Sequence, residues 1–244
     1  MKREVLMEDK KWTREDFFTH PVSDYPIASK IFVAIVIFIL YIVCKIWTRF
    51  EIIDYKKIQE LDRDEGLIFV ANHASSLDPV ILYVAHKISP KIRNKGIRFI
   101  YKSEFEDNSF LSFLVPQVGA IPVKRDSADT KALKRTVQAL KRGEDAGVFP
   151  EGTRIKDPHG RNESHGGFAL MAQMSKAKIV PVAIAGAWNL PWPVKVRVQY
   201  GEPFSLDDLD ESLSKKEKHA YAESKAMTEI YDMRDKLTIQ HKMA

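Results

Sequence analysis

Residues 72–78 read NHASSLD and set a histidine and an aspartate five positions apart. An imidazole with a pKa of about 6.5 can take up a proton near neutral pH. A carboxylate on its far nitrogen fixes the tautomer and stabilises the imidazolium that forms. His73 and Asp78 therefore read as a general-base dyad. The plainer reading makes Asp78 a helix cap and His73 a loop residue. A second stretch, FPEGTR (149–154), joins a glycine that permits close backbone approach to a hydroxyl and a guanidinium. Gly152, Thr153 and Arg154 could grip a phosphate, with Glu151 accepting from a substrate hydroxyl; the alternative is an ordinary turn. A third, FLVPQVGAIPVKRD (113–126), ends on Lys124 and Arg125. Residues 79–103 hold Lys87, Lys91, Arg93, Lys95, Arg98 and Lys102 without an acidic residue. That run is either a solvated basic face or one that meets anionic lipid.

These groups need elements to hold them, and the chain supplies an alternating pattern. LIFVA (67–71), IRFIY (97–101), GAIPV (119–123), AGVFP (146–150) and IVPVAIAG (179–186) are apolar runs of strand type. VKVRVQY (194–200) alternates as a half-exposed strand would. Between them, Asp78 and Pro79 suit the N-cap and first turn of a helix. Residues 127–143 and 166–177 read as further helices. The capping pair Ser214 and Glu217 opens a long C-terminal one. Strands alternating with helices predict an α/β domain with a mostly parallel central sheet flanked by helices. Each chemical stretch follows a predicted strand, where such sheets place their ligands.

Residues 31–44 form a run of fourteen positions without a charge, IFVAIVIFILYIVC. From Ile31 to Trp47 a helix would reach roughly 25 Å against a hydrocarbon core of about 30 Å. The segment is expected to dip into one leaflet rather than to span. Upstream, Thr13 and Asp16 form a cap signal for a short helix ending before Pro21, and Trp12, Phe17 and Phe18 suggest an interfacial position. Residues 1–50 thus read as a helical membrane anchor, 51–205 as the catalytic domain and 206–244 as a C-terminal helix packing on it. Net charge is +5, which favours anionic partners. Cys44 is the single cysteine, so an intrachain disulfide and a thiolate zinc site are excluded.

Taken together the stretches resemble the glycerolipid acyltransferases, over roughly residues 60–205. NHASSLD looks like that family's first motif, FLVPQVGAIPVKRD its second, FPEGTR its third and IVPVAI, with Pro181, its fourth. Length and N-terminus point to the bacterial branch acting on 1-acylglycerol-3-phosphate. The resemblance implies that His73, oriented by Asp78, deprotonates a glycerol hydroxyl for direct attack on an acyl thioester, with no covalent acyl-enzyme. It assigns Arg125 and Arg154, and more distantly Lys102, to the substrate phosphate, and Glu151, Gly152 and Thr153 to the glycerol pocket. No metal and no cofactor beyond the acyl donor, acyl-CoA or acyl-carrier protein, is implied. Expected partners are lysophosphatidic acid, phosphatidic acid and an anionic bilayer surface, with no nucleic acid. The catalytic domain would face the cytoplasm at a bacterial cell membrane. The readings weighed against it are a remodelling lysophospholipid acyltransferase, a non-catalytic lipid-binding protein, a hydrolase using Ser75 or Ser76, and a metal hydrolase using His73, Asp78, His159 and His165.

Overall fold

The structure, a computed structural model, describes residues 11–47, 49–61, 64–88, 96–124, 129–187 and 195–242. Seven strands form its centre: β1 (Glu51–Ile53), β2 (Leu67–Ala71), β3 (Ile97–Lys102), β4 (Ile121–Val123), β5 (Asp145–Val148), β6 (Lys178–Ala185) and β7 (Arg197–Tyr200). Their order is β1-β7-β6-β2-β5-β3-β4, and every neighbouring pair is parallel except β6 with β7. This is an α/β fold with a mostly parallel sheet flanked by helices. All five residues of β2 are buried, which explains why it reads as an unbroken apolar run: both faces of a central parallel strand are covered.

The helices are α1 (Arg14–Thr19), α2 (Ile27–Trp47), α3 (Lys56–Gln59), α4 (Asp78–Ile88), α5 (Ser109–Gln117), α6 (Thr130–Lys141), α7 (Gly167–Ser175) and α8 (Lys215–Lys242). Ile81, Leu82 and Ala85 of α4, with Ile58 of α3, meet Phe69, Phe99 and Val180 on one face of the sheet. On the other, Phe168 and Ala172 of α7 and Leu140 of α6 pack with Ile68, Val70 and Ile179. Ala222, Ala226 and Ile230 of α8 join that second core, and Met233 and Leu237 continue the stripe against Ala183 and Ala185. These spacings of three and four keep one side of α8 on the sheet.

Three expectations need correcting. Residues 197–200 are not half exposed: Arg197, Val198 and Tyr200 are buried, because β7 lies between β6 and β1. Arg197 tolerates burial by donating to Glu51 Oε2 at 3.1 Å and to the Leu237 carbonyl at 3.0 Å. The basic run loses Arg98, which is fully buried and donates to Glu144 and to the carbonyls of Phe17, His20 and Gly119. Lys91, Arg93 and Lys95 lie outside the described residues. Finally, Asp78 is the first helical residue of α4 rather than its cap.

The short helix α1 carries the expected capping box between Thr13 and Asp16. Its aromatic residues turn toward protein: Phe18 is buried under the Arg135 guanidinium, and Phe17 packs edge-on against Tyr25 at 5.0 Å. Glu144 also accepts from the Val22 amide at 2.8 Å, so residues 17–22 are tied to the body of the fold. Helix α2 is longer than the apolar run, about 31 Å at 1.5 Å per residue. Among the described residues no helix is long and apolar enough to cross a membrane. Ile31, Ile35, Phe38, Ile39 and Ile46 of α2 are nonetheless exposed, beside Phe110 and Phe113 of α5. The Phe32 and Phe113 rings meet at 5.5 Å, joining the two helices into one apolar surface.

Candidate active site

Because β2, β5, β3 and β4 are parallel neighbours, their C-terminal ends share one edge of the sheet. The chain leaves β2 two residues before His73 and β5 three residues before Glu151, while Lys102 closes β3 and Lys124 follows β4. Adjacent strands lie about 4.8 Å apart, so sequence positions up to eighty residues distant converge on this edge. Asn72 fixes the exit from β2: its side chain accepts from the Ile184 amide at 2.8 Å and donates to the Ile184 carbonyl at 3.0 Å. A side-chain amide thus continues the β2–β6 ladder where the β2 backbone turns away.

The turn that follows brings the dyad together. His73 Nδ1 lies 2.9 Å from Asp78 Oδ2, with the histidine side chain 19% exposed and the aspartate fully buried. The same oxygen accepts from the amides of Ala74 and Ser75, each at 2.7 Å. The Asp78 carboxylate therefore folds back from the start of α4 onto the loop before it, which places it on the imidazole. Since Oδ2 can only accept, Nδ1 is the donor in this bond and Nε2 faces away from the carboxylate. Among the described residues Nε2 has no hydrogen-bond partner. Phe149 covers one side of the ring at a centroid distance of 4.6 Å.

Residues 149–155 clamp the histidine backbone. The His73 amide donates to Glu151 Oε2 at 2.8 Å, and the His73 carbonyl accepts from the Ile155 amide at 2.8 Å. Gly152 adopts φ +63° between these contacts, a conformation that favours glycine. A Cβ there would also come within 3.1 Å of the His165 ring. Tyr231, on α8, donates to Glu151 Oε1 at 2.9 Å. Glu151 is 3% exposed with both oxygens occupied by protein donors, so its carboxylate meets the histidine rather than the solvent-facing lip. Burial raises its pKa above the usual carboxylate range, against the lowering effect of the His73 amide and the Tyr231 hydroxyl. Burial, then the Glu151 charge, pushes the Tyr231 phenol up to about 12.

Of the residues singled out in the sequence, His73, Asp78, Glu151 and Gly152 form this one constellation. Thr153 and Arg154 sit exposed on the same loop. Lys102 is half-buried at the end of the second strand along, and Arg125 lies outside the described residues. Ser75 is buried with its hydroxyl accepting from the Leu77 amide at 3.2 Å, whereas Ser76 is exposed. His159 pairs with Asp235 at 3.5 Å on α8. Sequence reasoning missed Asn72, Phe149 and Tyr231. The first two adjoin motif residues, but nothing near Tyr231 marks it.

Residues 52–185 match the family model described as Acyltransferase. The chain is 30% identical over 152 residues to the 1-acyl-sn-glycerol-3-phosphate acyltransferase of Streptococcus pneumoniae, covering 61% of this chain and 53% of that protein. It is 29% identical over 181 residues to the protein of the same name from Bacillus subtilis, covering 73% and 83%. The chain thus spans about half the length of the Streptococcus relative. Among solved structures, the 1-acyl-sn-glycerophosphate (LPA) acyltransferase PlsC from Thermotoga maritima superposes with a TM-score of 0.57 at 22% identity, covering 77% of this chain and 73% of that one. The last likeness speaks for the fold alone.

Proposed function

The chain belongs to the acyltransferase family, and from that premise we propose that it moves an acyl group from a thioester, acyl-CoA or acyl-carrier protein, to the free hydroxyl of 1-acylglycerol-3-phosphate. The product is phosphatidic acid. The observation that carries this reading is the imidazole held by Asp78 at the sheet edge with Nε2 turned away from its partner.

Nε2 of His73 accepts the hydroxyl proton as the alcohol oxygen attacks the thioester carbonyl. The Asp78 carboxylate stabilises the resulting imidazolium. When the tetrahedral centre collapses, the C–S bond breaks and the departing sulfur takes the proton from Nε2. Base help of this kind contributes about 10²–10⁴-fold, and holding both substrates at the lip supplies much of the remainder. A covalent acyl-enzyme is not needed in this sequence of steps. Ser75 does not replace the substrate hydroxyl, since its own is buried in the turn.

Arg154, on the exposed lip, and Arg125 and Lys102 bind the acceptor phosphate in this reading, while Gly152 and Thr153 border the glycerol. Glu151 in this reading also holds the histidine backbone, its two oxygens accepting from the His73 amide and the Tyr231 hydroxyl. The exposed apolar surface of α2 and α5 suits embedding in one leaflet, where an acyl chain can pass sideways from the bilayer. A thioester donor made in the cytosol puts the catalytic edge on the cytoplasmic side of a bacterial membrane.

Acyl transfer to 1-acylglycerol-3-phosphate compared with a lysolipid lacking a free phosphate group tests the assignment. A strong preference for the phosphate-bearing acceptor is expected. Equal rates would favour the remodelling enzyme instead.

A further inference from the structure

The helix α8 lies wholly outside the residues that match the family, 52–185, yet it reaches the site through one hydroxyl. Tyr231 Oη accepts from the Asn162 amide at 3.4 Å and donates to Glu151 Oε1 at 2.9 Å. The incoming amide leaves the phenol proton directed at the carboxylate. Glu151 Oε2 in turn accepts from the His73 amide at 2.8 Å. A carboxylate is rigid and planar, so fixing one oxygen fixes where the other can receive that amide. The tyrosine ring is itself held by Arg234, whose guanidinium lies 4.6 Å from its centroid and donates to the Gly160 carbonyl at 2.7 Å. His73, Glu151, Ile155, Pro158 and Arg234 line one narrow crevice.

We propose that Tyr231 is a positioning residue for the acyl-transfer reaction: through Glu151 it sets the place of the His73 backbone, and so of the imidazole, relative to the attacked carbonyl. The helix that carries it acts as a brace laid across the back of the site. A base displaced by a fraction of an ångström loses its aim on the hydroxyl without losing either substrate. The signature is therefore a fall in kcat with KM held. A tyrosine that merely packs α8 would act through stability and not through Glu151.

This inference rests on His73 being the base, and the experiment separates the two. Full-length wild type, His73→Ala, Tyr231→Phe, Glu151→Ala and the Tyr231→Phe/Glu151→Ala double variant are assayed with oleoyl-CoA and 1-oleoylglycerol-3-phosphate in mixed micelles, with folding followed by circular dichroism. Tyr231→Phe keeps the ring and is expected to lower kcat about tenfold, with KM for either substrate within about twofold. In the Glu151→Ala background it should change nothing further, because the phenol has lost its acceptor. Unchanged kcat in Tyr231→Phe, an effect confined to KM, or an equal loss in the Glu151→Ala background would each overturn the proposal. If Tyr231→Phe does not fold, Glu151→Asp withdraws the carboxylate from both donors with α8 intact. The same loss in kcat is then expected, and an unaffected kcat would again overturn it. Full activity in His73→Ala would instead remove the reading on which the proposal stands.

Discussion

Helix α4 carries a histidine–aspartate pair at each end, and the two are nearly identical in chemistry. At its start, His73 and Asp78 meet at 2.9 Å, with the imidazole partly open. Toward its end, His86 Nε2 lies 3.2 Å from Asp145 Oδ2, with both side chains fully buried. The Asp145 carboxylate also accepts from the Leu67 amide at 2.7 Å, at the opposite edge of the sheet, where β2 and β5 begin. The Phe69 ring packs edge-on against His86 at 5.2 Å. One pair sits where parallel strands end and ligands can arrive, the other where strands start beneath a helix. A histidine beside an aspartate is thus not sufficient for chemistry. What separates the pairs is access: the His73 side chain is partly exposed at the sheet edge, whereas His86 is fully buried.

Perturbing both pairs sharpens the contrast. Asp78→Asn is expected to lower kcat by about 10²–10⁴-fold, since an amide cannot hold the tautomer or stabilise the imidazolium. Steady-state kinetics on folded protein measure it, and a kcat near wild type would erase the distinction between the pairs. His86→Ala should act the other way round. Breaking a buried pair typically removes about 3–5 kcal/mol, visible as a lowered denaturation midpoint, while turnover per folded molecule holds. A folded His86→Ala protein without activity would break the comparison from the other side.

Smaller effects are expected around the first pair alone. Arg154→Ala removes an exposed guanidinium from the lip and should lower kcat/KM for the phosphate-bearing acceptor roughly ten- to a hundredfold, the worth of one charge-assisted hydrogen bond. Acceptors lacking the phosphate should respond little, and a uniform loss over both acceptors would remove Arg154 from phosphate recognition. Glu151→Gln gives the mildest change, and its sign depends on pH. Burial raises the folded-state pKa of Glu151, so the ionised form costs stability. That cost is absent below the ordinary carboxylate range and complete above the raised value. The stability of Glu151→Gln relative to wild type should therefore improve as pH rises through this window. A gap that closes in the opposite direction would show that hydrogen bonds to the carboxylate outweigh its burial.

Much of this architecture is legible in the sequence, for identifiable reasons. Strands β2 and β6 are covered on both faces and read as apolar runs. The capping boxes of Thr13 with Asp16 and Ser214 with Glu217 are local and appear as expected. The dyad is legible because five residues and one turn contain it. Contacts over long separations are not. Tyr231 meets Glu151 across eighty positions, and His86 meets Asp145 with neither residue marked by its neighbours. Hydropathy also fails to distinguish protein from membrane as the cover for α1: Phe17 and Phe18 suggest an interface, yet Arg98, Glu144 and Arg135 draw that segment onto the domain. Helix α5 is hidden by Pro116, which lies within it and suggests a break.

The role of His73 as the base is tested most directly by the turnover of purified, folded His73→Ala protein with a long-chain acyl-CoA and 1-acylglycerol-3-phosphate. The expected result is a fall in kcat of about 10²–10⁴-fold, with both Michaelis constants and the thermal midpoint near those of wild type. Turnover at the wild-type rate in that folded variant would contradict it.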